Sequence, residues 1–440
     1  MFSSDLDTAR NPLSARSWGI VLGSVIMVSV AAALVGARVM PFMFAATVAA
    51  FVAAAPLRGK SDLLVPRFGA VSLHLAAFLL YASASAVWAV EPGLALIKTV
   101  SAILMMLGSI IVSQLLASET RPNLLHMGEG AWIGLLVALV YFLIEILTYQ
   151  SIKIWLYNTL AMSPSDLRPT RYFRWSGEQL IWIARNDLTR NVTPITLFLW
   201  PAALAMKGTL FGYARMIGTV AIIVLAGVVV MLSPHETSKL AFVTGLAGFG
   251  CAVAWPLFTA RIAAIGWVCA CIVVLPAALL AHRLDLQNAP WLQSTAQTRI
   301  VIWSSTAKEA LKSPLLGIGA NMTYVQGPEM ASSPTPDPRD SNSHNLSRHA
   351  HNVFLQTWLE LGFVGAMLLT MLGLSIVNAI KTLDRSHQPY AYATFASAAA
   401  IASASYGMWQ TWFMAMFAYC VVLLALGRSV SPVTDVNIRK

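Results

Sequence analysis

Charged residues are scarce in this sequence: they make up 11% of its 440 residues, whereas hydrophobic residues make up 57%. Soluble domains carry about a quarter charged residues, so this composition excludes a large soluble enzyme and a disordered chain. The mean hydropathy of +0.68 agrees with a chain whose solvent is a lipid bilayer. We therefore expect an integral membrane protein.

Acidic residues and cysteines are also few. The chain has 19 acidic against 29 basic residues, which gives a net charge of +10. In a membrane protein such an excess orients loops and meets anionic lipid, so we predict membrane lipids and no nucleic acid as partners. The four cysteines lie inside apolar runs without disulfide or zinc spacing, and no carboxylate cluster for a divalent metal is visible. We predict neither a metal site nor a cofactor.

Long apolar runs dominate what is present. A membrane-spanning helix needs ~20 apolar residues at 1.5 Å each. The first run, from about Ile20 to Val35, lacks a small-residue cleavage site, so we predict that it is retained as a span. About twelve runs qualify, near residues 18–36, 39–57, 69–90, 94–117, 129–149, 191–207, 212–232, 239–258, 261–281, 353–380, 389–407 and 409–427. They predict an all-α polytopic membrane protein with about 12 transmembrane helices, forming one integral-membrane domain over residues 1–440.

The charges of the short loops predict the orientation of the chain. With the N-terminus in the cytoplasm, most basic residues of the short loops fall on the cytoplasmic side, and both termini are cytoplasmic. Two long polar segments, at about 150–190 and 282–352, then lie on the outer side. Both are basic, against the trend, although long loops cross a membrane regardless of charge. Contact with anionic headgroups and binding of a phosphate-bearing substrate both remain open as explanations.

The second long segment ends at a histidine motif. His351 and Asn352 are followed, after nine residues, by Gly362 and Gly365 at the start of a long span. This spacing resembles that of the O-antigen ligase and polymerase superfamily, whose members are integral-membrane enzymes that transfer glycans from a polyprenyl pyrophosphate. We expect the two glycines to allow close helix packing, and His349 and His344 to be solvated loop residues.

Three further segments support the resemblance. Arg299 and Trp303 match the family's Arg-x-x-x-Trp helix, within an amphipathic helix predicted over Thr295–Lys312. Arg190 lies at the matching arginine of the entry into the sixth span. Lys239 lies in a short outer turn where relatives carry a Ser-Arg-Gly or similar sequence. Each residue also has an ordinary explanation, because arginines anchor at interfaces and tryptophans pack there.

The resemblance implies an enzyme that needs no metal. Its donor would be a glycan on undecaprenyl pyrophosphate, and its acceptor a sugar hydroxyl. Arginine binds phosphate bidentately, so Arg299 and Arg190 would hold the leaving diphosphate. His351 would take the proton from the acceptor hydroxyl. A single displacement of this kind inverts the anomeric carbon.

Polar residues continue along one stripe of the span after the histidine. Asn352, Gln356 and Glu360 are four residues apart, and polar groups within a span usually face a cavity or the bundle interior. We predict that they support His351 or bind sugar hydroxyls, with helix–helix hydrogen bonding as the alternative. Lys239 and Trp303 complete the predicted substrate-binding set.

These features predict a glycosyltransferase of a bacterial inner membrane, with its active site facing the periplasm. Ligation of the glycan to lipid A–core is the first hypothesis. Polymerisation, in which a second lipid-linked glycan is the acceptor, is the close alternative, and protein O-glycosylation is a third. A polyprenyl-linked glycan transporter is a rival of another class. Its charges should lie in a central cavity between the spans, whereas the basic residues here concentrate in two outer segments.

Overall fold

Helices make up nearly all of the regular structure. The computed structural model describes residues 15–164, 167, 172–331 and 349–431. Its helices are α1 Ala15–Val35, α2 Met40–Leu57, α3 Ala70–Ala84, α4 Pro92–Ala117, α5 Arg121–Leu147, α6 Ser151–Thr159, α7 Thr189–Thr209, α8 Gly212–Leu232, α9 Glu236–Ala254, α10 Pro256–Ile272, α11 Val274–Arg283, α12 Ser294–Ala310, α13 Met322–Ala331, α14 Val353–Lys381, α15 Gln388–Ala404 and α16 Thr411–Val430. The prediction of an all-α polytopic membrane protein is confirmed.

The number of spans depends on three unusual helices. Within the described residues, nine helices are long and apolar enough to cross a membrane, and the pair α10–α11, bent by 65°, would make a tenth. α15 has only 17 residues, and α7 carries several polar side chains. Each of the twelve predicted runs nevertheless coincides with a helix or with the bent pair. The predicted number of twelve is reached only when α7, α10–α11 and α15 are counted as spans.

α7 lies at the centre of the bundle. Nearly every residue from Asn191 to Met206 is buried. The helix packs against α5, α8, α15 and α16, so protein surrounds it where other spans face lipid. Because its neighbours can satisfy polar groups, α7 tolerates Thr193, Thr196 and the two prolines, Pro194 and Pro201. This explains why its sequence is the least apolar of the twelve runs.

Glycines allow α1 and α5 to touch backbone to backbone. A Cβ placed on Gly130 would lie 2.1 Å from the carbonyl oxygen of Gly23, and one on Gly134 would lie 2.5 Å from that of Met27. Small residues four apart permit this approach in membrane helices, where packing rather than the hydrophobic effect drives association. The two helices are the most closely packed pair of the bundle.

α14 is broken near its start, at Gly362, which has φ +63°. The segment after α12 pairs with the break: Phe363 N donates to the Pro314 carbonyl at 2.8 Å, and Gly319 N donates to the Glu360 carbonyl at 2.8 Å. A Cβ on Gly362 would lie 2.4 Å from the Leu315 carbonyl. The prediction that this glycine serves close packing is therefore incomplete, because it also takes a backbone conformation that other residues disfavour.

The first long polar segment contains the strands of the described chain. β1 Phe173–Ser176 and β2 Gln179–Ile183 form an antiparallel hairpin, which the sequence analysis did not predict. The hairpin packs on α6 around a small core of Leu180 and Ile183 with Tyr157. Residues 168–171, with two of the segment's arginines, lie outside the described residues, as do residues 332–348 of the second segment.

Successive spans alternate in direction, so their ends gather at two levels. We call one level the histidine end: it contains residues 349–352, the α8–α9 turn, taken as residues 233–239 with the start of α9, and the α15–α16 turn, taken as residues 404–410 with the end of α15. The other level, the opposite end, contains residues 58–60, 118–120 and 207–212. The predicted site residues lie at or near the histidine end.

Candidate active site

His351 lies two residues before α14, in a left-handed backbone conformation with φ +53°. Its Nδ1 is 2.6 Å from the carbonyl oxygen of Ser405. A carbonyl only accepts, so Nδ1 carries the hydrogen in a neutral ring, and Nε2 keeps the lone pair. Histidine is among the few non-glycine residues that tolerate this backbone region. The Ser405 bond therefore fixes both the position and the tautomer of a potential base.

The surroundings of His351 favour the neutral ring. Burial lowers the pKa of His351, and the nearby positive charge of Arg299 lowers it further, while the hydrogen bond to Ser405 acts in the opposite direction. At neutral pH the imidazole is therefore unprotonated. An unprotonated Nε2 is the form that accepts a proton from a hydroxyl.

Arg299, on α12, is a half-buried cation. Its Nη1 donates to the Thr237 hydroxyl at 3.2 Å. Among the described residues, it forms no ion pair with a carboxylate. Burial lowers the pKa of Arg299, although arginine stays charged at physiological pH. A desolvated guanidinium of this kind is suited to bind an anion.

His235 and Tyr406 connect the parts of the site. The His235 Nδ1 lies 2.6 Å from the Ser238 hydroxyl, and its Nε2 lies 3.4 Å from the hydroxyls of Ser405 and Tyr406. The two rings stack with centroids 5.7 Å apart. Burial, with the charge of Arg299, lowers the pKa of His235 to about 3, so this ring is neutral throughout the physiological range. It serves as a hydrogen-bonding partner rather than as a second base.

Arg190 lies in the first turn of α7, close to the same tyrosine. The Tyr406 hydroxyl is 3.3 Å from the Thr189 carbonyl and 3.3 Å from the Thr193 hydroxyl, within electrostatic range of Arg190 and Arg299. Arg190 also lines a small pocket with Tyr172, Asn186, Asp187 and Thr189. The structure thus gathers the three predicted catalytic residues around Tyr406 and its turn, although they come from three separate segments.

The predicted polar stripe of α14 faces protein. Asn352 caps the helix by accepting from Leu355 N at 3.0 Å. Gln356 donates to Glu360 at 2.9 Å and accepts from Met408 N at 3.1 Å. Glu360 is fully buried and also accepts from the backbone N–H groups of Asn321 and Thr323 and from the Trp409 indole. These contacts agree with the structural alternative, and a role in binding sugar stays a prediction.

Lys239 and Trp303 lie at the edges of this arrangement. The Lys239 ammonium pairs with Glu236 at 2.8 Å, while Thr237 of the same turn reaches Arg299. Trp303 packs into an apolar cluster with Leu355 and other residues of α14. Neither residue lies among the contacts that join Arg299 and His351. Their contribution to substrate binding stays a prediction.

His349 is not the solvated loop residue that its position predicts. Its ring centroid lies 4.4 Å from that of His351, and its Nε2 lies 3.3 Å from the Gln410 amide. A Cβ on Gly407 would meet the His349 side chain at 2.7 Å. His349 therefore packs between His351 and the α15–α16 turn. His344, also predicted to be solvated, lies outside the described residues.

The sequence pattern does not identify the two turns that bond to Arg299 and His351. The α15–α16 turn supplies Ser405, Tyr406 and the backbone of Met408, and the α8–α9 turn supplies His235 and Thr237. Their signal is weak: each is a short polar interruption between apolar runs. Within the described residues, no group of three or more His, Cys, Asp or Glu could hold a metal ion, and metal independence stays a prediction.

Comparison with known proteins agrees with the motif. The family model described as O-antigen ligase matches residues 219–370, which include Lys239, Arg299 and His351 but not Arg190. A protein of Rickettsia conorii named as a candidate polysaccharide ligase is 31% identical over 136 residues, 30% of this chain and 32% of that protein. One of Rickettsia prowazekii with the same description is 30% identical over 154 residues, 34% of this chain and 37% of that protein.

The matched part of the chain thus spans about a third of the length of these relatives. The residues matched by the family model, 219–370, contain the α8–α9 turn, α12 and the histidine motif, which are three of the four segments behind the predicted resemblance. The predicted resemblance to the O-antigen ligase superfamily is confirmed.

Proposed function

We propose that this chain, a multi-pass membrane protein of the O-antigen ligase superfamily, transfers a glycan from undecaprenyl pyrophosphate to an acceptor hydroxyl at its histidine end. One observation carries the proposal: a neutral imidazole lies within electrostatic range of the Arg299 guanidinium. Among the described residues, the Nε2 of that imidazole accepts no hydrogen bond and the guanidinium has no carboxylate partner. The first suits a base and the second suits a phosphate, and the reaction needs both.

The reaction would proceed as one displacement. Nε2 of His351 accepts the proton of the acceptor hydroxyl as its oxygen attacks the anomeric carbon. The bond between that carbon and the diphosphate oxygen breaks, and the electron pair leaves with the diphosphate. Arg299 and Arg190 offset the negative charge that grows on this leaving group. The anomeric carbon inverts, and the step uses groups of this chain alone.

The break in α14 supports this arrangement of groups. Arg299 lies on α12 and His351 lies just before α14, and the segment between Pro314 and Gly319 ties the end of α12 to the start of α14 by backbone hydrogen bonds. Holding a base and an anion site in fixed relative positions lowers the entropic cost of the reaction.

We propose lipid A–core as the acceptor, with a second lipid-linked glycan as the alternative. We also place the protein in the bacterial inner membrane, with the histidine end in the periplasm and both termini in the cytoplasm, because the basic short loops gather at the opposite end. A transporter would need its cations in a central path, but α7, which fills the centre, is buried and mainly apolar where it does so.

The test is transfer by the purified protein in detergent or vesicles. It receives a synthetic undecaprenyl-pyrophosphate glycan together with lipid A–core, or the donor alone. Product on lipid A–core supports ligation, whereas lengthening of the lipid-linked glycan supports polymerisation. Movement of intact donor across vesicles, without any transfer, would contradict the proposed enzyme and support the transporter.

A further inference from the structure

Two short turns hold both functional side chains of the histidine end. The α8–α9 turn reaches Arg299 through Thr237, and the α15–α16 turn reaches His351 through Ser405. The two turns are also joined directly, because the Thr237 hydroxyl donates to the Ala404 carbonyl at 3.1 Å. Hydrogen bonds therefore connect both the cation and the imidazole to adjacent carbonyls, those of Ala404 and Ser405, which the backbone joins covalently.

Thr237 uses its hydroxyl in both directions. A hydroxyl has one hydrogen to donate and lone pairs that accept. The hydrogen goes to Ala404, so the oxygen lone pairs face the Nη1 of Arg299 at 3.2 Å. Thr237 is 3% exposed, so water does not compete for these bonds. Among the described residues, this hydroxyl is the one hydrogen-bonding partner of the Arg299 guanidinium.

The end of α15 explains why the two turns meet here. The last carbonyls of a helix have no partner within it, and they carry the negative end of the helix dipole. Ala404, the last residue of α15, accepts from Thr237, and Ser405, the next residue, accepts from His351. Consecutive carbonyls of one helix end thus fix the two side chains.

We propose that Thr237 is a positioning residue, whose hydroxyl holds the Arg299 guanidinium in the place that faces both the donor's diphosphate and His351. The inference rests on the proposed function for its effect on transfer, but not for its effect on the imidazole. No contact with substrate is assigned to Thr237.

The pKa of His351 reports where the positive charge of Arg299 lies. Among the described residues, the titratable groups around His351 are Arg299 on α12, His349, whose ring lies 4.4 Å from that of His351, and His235 and Tyr406, which contact the Ser405 side chain. His235 and Tyr406 are uncharged at neutral pH. A guanidinium held close disfavours protonation of His351, so releasing it raises the pKa of that imidazole toward its ordinary value.

The experiment compares Thr237→Val with Thr237→Ser in the full-length protein. Valine keeps the β-branched shape without the hydroxyl, whereas serine keeps the hydroxyl. The pKa of His351 is measured without substrate, from the pH dependence of its reaction with diethyl pyrocarbonate, read by mass spectrometry. We expect a pKa below the ordinary value of about 6.5 in the parent and in Thr237→Ser, and a higher one in Thr237→Val.

Thr244→Val is the matched control. Thr244 lies on the same helix, α9, and its hydroxyl donates to the Ala241 carbonyl at 3.1 Å, away from Arg299. We expect the pKa of His351 to be unchanged in this variant. An unchanged pKa in Thr237→Val as well would overturn the proposal, whether or not the protein transfers glycan.

Transfer is the second measurement. Loss of a hydrogen bond to a charged group should lower kcat of Thr237→Val about 10-fold or more, with a smaller change in KM for the donor and recovery in Thr237→Ser. The acid limb of its pH–rate profile should move to higher pH together with the pKa of His351. A displaced pKa in a protein without transfer would leave the positioning intact and contradict the proposed function alone.

Discussion

Arg299 at the histidine end has different partners from Arg58 and Lys60 at the opposite end. At the opposite end, Arg58 and Lys60 both pair with Glu119, with the Lys60 ammonium 2.9 Å from the carboxylate. Burial raises the pKa of Glu119, but hydrogen bonds from Asn123, Lys60 and the Thr120 backbone, with the charge of Arg58, lower it overall. At the histidine end, Arg299 meets only a neutral hydroxyl among the described residues.

The carbonyls at helix C-termini also have different partners at the two ends of the bundle. At the opposite end, Arg121 donates to the carbonyls of Gly208 and Val430, at the C-terminal ends of α7 and α16, so its charge stabilises the fold. At the histidine end, the carbonyls at the end of α15 accept hydrogen bonds from Thr237 and His351 instead. We therefore regard the neutralised cations as structural. Arg299, which has no carboxylate partner among the described residues, is the cation that we expect to bind the donor's diphosphate.

The largest effect that sharpens this contrast is expected at His351. His351→Ala and His351→Gln should fold, bind the lipid-linked donor and lose about 10²–10⁴-fold in transfer, because an amide accepts no proton productively. Purified variants are compared by rate and by donor binding. His74→Ala is the control, since the His74 Nδ1 also lies near a backbone carbonyl, at 2.7 Å from Ala70, but on the start of α3 at the opposite end. Transfer by His351→Gln at the parent rate would refute the role of His351 as the base.

Replacing Arg299 should have the next largest effect. Arg299→Ala should lower transfer about 10²–10³-fold, as the loss of one preorganised donor does. Arg299→Lys should also be poor, because a point charge lacks the bidentate fork. Arg190→Ala should follow the same trend. The measurement is kcat and KM for the donor with folded protein, and near-normal kinetics of Arg299→Ala would reduce this arginine to an interfacial anchor.

The smallest effect on transfer is expected from the paired cations. Glu119→Gln leaves Arg58 and Lys60 without their counter-ion, so it should lower the free energy of unfolding by about 3 kcal/mol. The transfer rate of the folded fraction should equal that of the parent protein. The parent pair should stabilise fully above the ordinary pKa of Glu119 and weaken as the pH falls through its lowered value. Thermal unfolding measures both effects.

Glu129→Gln is the control for this comparison. Glu129 is half-exposed and pairs with His126 at 3.2 Å, and exposed pairs contribute little. Equal loss of stability in the two variants would contradict the distinction between buried and exposed pairs at this end.

The sequence predicts the spans and the principal site residues because both depend on patterns within short stretches of the chain. Apolar length identifies the helices, and the spacing of His351 and its glycines identifies the motif. Arg299 follows from its resemblance to a family helix. Thr237, His235, Ser405 and Tyr406 could not be predicted, because their importance arises from contacts across the bundle.

Two further elements could not be read from the pattern, for different reasons. The β1–β2 hairpin follows from packing on α6, in a segment whose composition predicts only a polar loop. The break at Gly362 lies inside an uninterrupted apolar run, where hydropathy predicts one continuous helix. Local patterns reveal where a chain is buried, but not which backbone groups pair once it folds.

The break in α14 also has a mechanical consequence. Hydrogen bonds tie both sides of Gly362 to the segment that follows α12. Ile318 and Gly319 bond to residues before the break, and Pro314 and Leu315 bond to residues after it. A change in bilayer thickness tilts a spanning helix. We expect these bonds to make the end of α12 follow such a tilt of α14, so that the base and the cation keep their separation in membranes of different thickness.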